Sequence, residues 1–274
     1  PISIVLPLIG LAVNNGHLFN NFSVNSSGIF GDFNSYWFYI LASINGILIC
    51  LPNLDNKIYR TLLFTARSIT FAYTVYFFLV FLPFLPLSII AVVAIGTGFL
   101  MLAPLLLFVL HINELSKDFS YLKDYFSKNA IWVISLIGFL IIPIFITSSY
   151  LKDKTVLNET LDYIYNPDYL KDYEINKVSL QKTLNVVKHH KDRNQDVIFG
   201  SQIPYLSSYF NWLVLDNLTL SDSKINTIEK IFFGSTSFEL RPENIQNSNV
   251  KITNIATKST FDKSQNAWLS WVDL

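Results

Sequence analysis

Residues 130–151 read AIWVISLIGFLIIPIFITSSYL, an unbroken stretch without Lys, Arg, Asp or Glu. At about 1.5 Å of rise per helical residue, such a run covers the roughly 30 Å hydrocarbon core of a bilayer. Inside that core each backbone amide must find its partner within the segment, which selects a helix. Three further apolar runs follow the same logic: 36–52, opened by Tyr36, Trp37 and Tyr39 as an interfacial belt; 61–82; and 87–110, which contains Gly96, Gly98 and Pro104. Residues 1–13 are too short to span alone and read as the tail of a clipped span. Between the third and fourth runs, Phe81–Pro86 forms an uncharged turn, because its two prolines oppose one continuous helix.

Charge sorts the chain into two solvents. Of its 40 Lys, Arg, Asp and Glu residues, 11 fall in 1–150 and 29 in 151–274. A soluble protein needs a wetted face along its whole length, so the front half lies in hydrocarbon and the back half in water. Formal net charge is zero, which gives no basic field for nucleic acid. A single cysteine, Cys50, cannot close an internal disulfide. The expected organisation is a polytopic helical region over 1–151, a mainly helical region over 152–234, and the start of a β-rich domain over 235–274. Residue 1 is Pro and 267–274 read as an interrupted strand, so the chain reads as part of a longer protein, with sequence expected on both sides.

Orientation follows from Lys and Arg in the short loops. Loop 14–34 has none, 53–60 has Lys57 and Arg60, the turn at 81–86 has none, and 111–129 has Lys117, Lys123 and Lys128. The alternation puts 53–60 and 111–129 in the cytoplasm and everything after 151 outside, with Lys152 and Lys154 as exceptions around Asp153. Arg67 is the one charged residue inside an expected span and therefore the candidate intramembrane functional residue. The plainer reading has it snorkelling to the headgroups, since no span carries an acidic partner. Gly96 and Gly98 read as close helix packing.

In the soluble half, 176–192 places Val178, Leu180, Leu184 and Val187 on one apolar stripe of a helix. Ser221 with Asp222 opens a short helix over 225–233 that Gly234 ends. Residues 250–259 and 267–274 alternate as two strands around a polar turn at 261–266.

No catalytic set stands out. His189 and His190 are adjacent, so they point about 100° apart on a helix and suit a solvated face better than a shared metal. His17 and His111 fall at expected membrane interfaces. The acidic residues of 152–174 interleave with lysines as on a wetted helix. Asn21, Asn25, Asn158 and Asn217 match the N-glycosylation triplet, as chance allows in an Asn-rich chain. No P-loop, nucleophile elbow or dinucleotide fingerprint occurs, and the residues indicate no cofactor, metal site or catalytic residue.

Residues 250–259, the turn at 261–266 and Trp268–Leu274 resemble the entry to a VIT domain, the vault/inter-α-trypsin β-module. With the spans ahead of it, and with 187–193 (VKHHKDR) and 224–234 (KINTIEKIFFG) as linkers, the chain resembles membrane proteins of the exosortase-N system and the related MSEP-CTERM sorting-associated proteins. The resemblance implies a Bacteroidetes-type inner-membrane protein working beside an exosortase. The fold class expected is thus four full transmembrane helices and one truncated, followed by a soluble α+β region that begins a VIT-like module. The expected function is non-enzymatic presentation of an extracytoplasmic interaction module in protein sorting or surface assembly. Its rivals are a membrane enzyme that would use Arg67 or the external helices to bind an anionic lipid-linked substrate, and a transporter.

Overall fold

The computed structural model describes residues 2–17, 28–88, 99–168, 170, 173–191, 202–215, 220–234, 254, 256–263 and 267–273. Its helices are α1 (Ile2–Asn14), α2 (Tyr36–Cys50), α3 (Lys57–Phe81), α4 (Phe99–Leu122), α5 (Lys128–Tyr165), α6 (Lys177–Lys191), α7 (Leu206–Leu213) and α8 (Asp222–Phe233). Strands β1 (Ala256–Asp262) and β2 (Ala267–Asp273) complete the elements. The chain divides into two compact units, Pro1–Ser221 and Asp222–Leu274.

Four full spans do not survive. Among the described residues two helices are long and apolar enough to cross a membrane, Lys57–Ser88 and Lys128–Tyr165. The first joins α3 to a 3₁₀ turn at Leu82–Phe84, so the prolines tighten the helix without ending it. The expected span at 36–52 is only the 15-residue α2, about 22 Å long and too short alone for the hydrocarbon core. The expected span at 87–110 lies partly outside the described residues. What is described of it, α4, turns polar from His111 onward and runs to Leu122 as helix, where a loop was expected. Gly96, Gly98, Asn21, Asn25 and Asn217 also lie outside the described residues. Helix α5 continues unbroken through the boundary expected at 151.

The starts of the long helices have local causes. The Asn56 side chain accepts hydrogen bonds from the amides of Ile58 and Tyr59 and so caps α3. Ser127 does the same for α5 through Ala130 N. In the first unit α3 packs on α4 and α5, α1 on α2 and α4, and α2 on α3. Close approach requires glycine at two crossings. A Cβ on Gly46 would lie 2.6 Å from the Ser3 carbonyl of α1, and one on Gly138 would lie 2.8 Å from Ser68 Cβ of α3.

Long stretches of the outward helix faces in this unit are apolar. On α5, Trp132, Val133, Leu136, Ile137, Ile144 and Phe145 are all more than half exposed. Ile2 and Val5 of α1, Ile47 of α2 and Val109 of α4 also face outward. Inside sit Arg67, His111, Asp118, Asn45 and Thr74, none more than 1% exposed. A water-soluble bundle has the opposite arrangement.

The ends of the bundle sort the loops. At one end Asn53 of the α2–α3 loop meets Glu114 of α4, and Lys57 lies over the Phe126 ring, 4.7 Å from its centroid. At the other end Phe30 touches Phe81 and Phe84, at 5.0 and 5.3 Å between centroids. There the Asp32 amide donates to Gln202 O at 3.2 Å, and Tyr76 Oη donates to Pro204 O at 2.9 Å. Helices α6 and α7 pack on α5 next to this second end. Leu180, Leu184 and Val187 form the buried stripe of α6, whereas Val178 is 79% exposed and leaves it.

In the second unit α8 begins at Asp222, one residue after the expected cap, and ends at Gly234 with φ +73°. β1 and β2 pair antiparallel with Phe261 opposite Trp268 and Ser259 opposite Ser270. β1 extends to Asp262, through part of the expected turn, and 250–253 lie outside the described residues. This two-stranded ribbon is the one sheet among the described residues. A β-rich VIT-like module is therefore not what this region forms. The alternation of 256–273 fits a bare hairpin equally well, since a period of two says nothing about how many strands follow.

Candidate functional site

Arg60, Arg67 and Thr74 lie seven residues apart along α3 and so share one stripe. His111, Glu114 and Asp118 form the matching stripe on α4, spaced by three and four. The two stripes meet in antiparallel order and build a polar seam through the bundle.

Asp118 is the centre of its charged end. Its Oδ1 lies 2.7 Å from Arg60 Nη1, and its Oδ2 lies 2.7 Å from Arg67 Nη1. Arg67 Nη1 also lies 3.5 Å from Glu114 Oε2. Glu114 in turn accepts from Lys117 Nζ at 2.6 Å and from Asn53 Nδ2 at 2.9 Å.

The rest of the Arg67 guanidinium serves the backbone. Nε donates to Leu48 O at 2.9 Å and Nη2 to Leu51 O at 3.1 Å, while Nη1 also donates to Asn53 Oδ1 at 3.1 Å. Leu48 is in the last turn of α2, where carbonyls lack helical partners and the helix dipole is negative. Arg67 thus caps α2, anchors α4 and sits on α3. It does not reach for headgroups, because its side chain is wholly buried and its donors are committed.

Deeper in the seam the hydrogen bonds have one consistent direction. The Arg67 carbonyl only accepts, so His111 Nε2 donates to it at 2.9 Å. His111 Nδ1 then accepts from Thr74 Oγ1 at 2.9 Å, and Thr74 accepts from Asn45 Nδ2 at 3.0 Å. Both imidazole nitrogens are used. Expected at an interface, His111 is instead inside the bundle, with 0% exposure.

The adjacent histidines also part company with expectation. His190 is 3% exposed, stacks on Phe210 at 4.4 Å between centroids, and shares a hydrogen bond between its Nδ1 and Ser207 Oγ at 2.8 Å. Ser207 Oγ accepts the Ile203 amide. Burial, and then the neighbouring His189, lower the His190 pKa to about 3. Ser207 is 1% exposed, so this pair joins α6 to α7 and offers no reachable nucleophile. His189 instead lies 3.5 Å from Asp32. Among the described residues no group of three or more His, Cys, Asp or Glu is placed to hold a metal ion.

No family model, curated protein or solved structure matches the chain. Chemically, the seam is a lock: it cross-links three helices and presents no free charge to a substrate.

Proposed function

We propose that this chain is a non-enzymatic, polytopic membrane protein that holds a helical layer, α6 and α7, on the extracytoplasmic side for interaction with other envelope components. One observation carries the reading: an ionic seam inside and an apolar surface outside, the arrangement suited to hydrocarbon surroundings. Lys57, Arg60, Lys117, Lys123 and Lys128, at helix ends and in the connection between α4 and α5, gather at one end of the bundle, which the positive-inside rule makes cytoplasmic. Helices α6 and α7 then belong to the opposite side. Work beside an exosortase in a bacterial inner membrane is the context that the sequence resemblance offers.

Commitment of Arg67 to Asp118, Asn53 and two carbonyls argues against a membrane enzyme that uses it to bind an anionic substrate. Labelling tests the topology. In a Cys50→Ser background, an impermeant maleimide should modify Ser208→Cys in intact cells and Lys123→Cys only after permeabilisation. The reverse pattern overturns the orientation. Recovery of the folded chain from the soluble fraction overturns the membrane reading itself.

A further inference from the structure

A partly open cavity of about 330 Å³ lies between α1, α3 and α4, under residues 29–33. Its position is written into three residues. Pro7 of α1 and Pro104 of α4 both line it, and each proline lacks the amide that would donate a helical hydrogen bond. Gly10, one turn from Pro7, also lines it, and a Cβ built there meets no atom within 4 Å. The contrast with Gly46 is informative. There glycine allows backbones to touch, whereas at Gly10 it leaves space unfilled.

The wall says what that space accepts. Leu6, Leu11, Tyr73, Phe77 and Leu107 are among its lining, which is mainly apolar. Of its three polar side chains two are already engaged. Asn14 donates to Gly31 O at 2.9 Å and accepts from Phe30 N at 2.8 Å. Thr74 is held in the His111 chain. The Tyr73 hydroxyl is the third, and water requires two to four polar partners, so an apolar occupant is favoured. The volume is at the small end of ligand sites, about 300–1,000 Å³, and suits one chain without a headgroup.

We propose that this cavity binds a single hydrocarbon chain, the tail of a phospholipid or a free fatty acid. The inference rests on the membrane reading above, since the bilayer is the reservoir of such chains.

Photolabelling of the full chain in nanodiscs tests it. One arm uses phosphatidylcholine with a diazirine in its acyl chain, the other a diazirine fatty acid in unlabelled bilayers. Adducts mapped by peptide mass spectrometry should appear at cavity residues such as Leu6, Phe77 or Leu107, and separately at Ile137 and Ile144 on the outward face of α5. Gly10→Phe should abolish the cavity adducts and spare those on α5, while Gly10→Ala should keep both. Should Gly10→Phe fail to fold, Leu107→Trp from the opposite wall replaces it. Cavity adducts in the phospholipid arm assign a bilayer lipid; adducts in the fatty-acid arm alone assign a free acid. Adducts on α5 without any in the cavity, or cavity adducts that survive both substitutions, overturn the proposal and leave the membrane reading intact. Absence of adducts on α5 as well overturns both.

Discussion

Asp118→Asn is the most informative single change. The side chain keeps its shape and loses its charge, leaving Arg67 with 0% side-chain exposure and Arg60 with 7% around a neutral amide. Removing one partner of a buried ion pair costs about 3–5 kcal/mol, because the other charge stays desolvated. Here one carboxylate serves two guanidiniums, and only Glu114, at 3.5 Å from Arg67, remains as a substitute. Loss of about 3–5 kcal/mol is therefore expected for Asp118→Asn, with a smaller loss for Arg60→Met, which leaves the Arg67 pair in place. Arg67→Gln and Asp118→Asn together should cost less than their sum by at least about 1 kcal/mol, as contacting residues do. Equilibrium unfolding in mixed micelles measures all four proteins. Stability of Asp118→Asn within about 1 kcal/mol of the parent, or strict additivity in the double variant, would refute the assigned role of the seam.

Two further outcomes follow from the geometry. Folding keeps His190 neutral down to about pH 3, whereas the unfolded imidazole binds a proton below about 6.5. Between those values the unfolded state holds more protons, so stability should fall with falling pH by up to about 1.4 kcal/mol per unit; thermal melts from pH 7.5 to 4.5 should show a flatter slope in His190→Gln, and equal slopes would reject the buried neutral ring. Gly46→Ala and Gly138→Ala should each destabilise by about 1–3 kcal/mol through overpacking, read by the same unfolding assay, and a neutral result at Gly46 would mean that α1 and α2 do not cross there.

Arg67 and the apolar run at 130–151 were legible in the sequence because each signal is local: one charge in an apolar stretch, one long stretch without charge. The partner of Arg67 was hidden by a boundary. With the fourth span ended at 110, Glu114 and Asp118 become loop residues, although α4 carries them inward on the same face as His111. The seven-residue spacing of Arg60, Arg67 and Thr74, set beside His111, Glu114 and Asp118, holds the signal that finds the seam. It requires pairing two helices 51 residues apart between Arg67 and Asp118, which no window of hydropathy does. Counting spans failed for a related reason: apolar composition records what a segment avoids, and α2 is apolar yet too short to cross alone. His190 and the hairpin mark the same limit, since the burial of the one and the missing neighbours of the other depend on distant chain.

The separation between Arg67 and Asp118 also sets an order of events during synthesis. When α3 leaves the ribosome, its arginine has no counter-ion from α4, and on the membrane reading proposed above an arginine within the hydrocarbon costs up to about 2.5–3.5 kcal/mol on insertion scales. At about 5–20 residues per second, the aspartate emerges roughly 3–10 s later. On that reading α3 settles at its final depth only once α4 has arrived with its carboxylate.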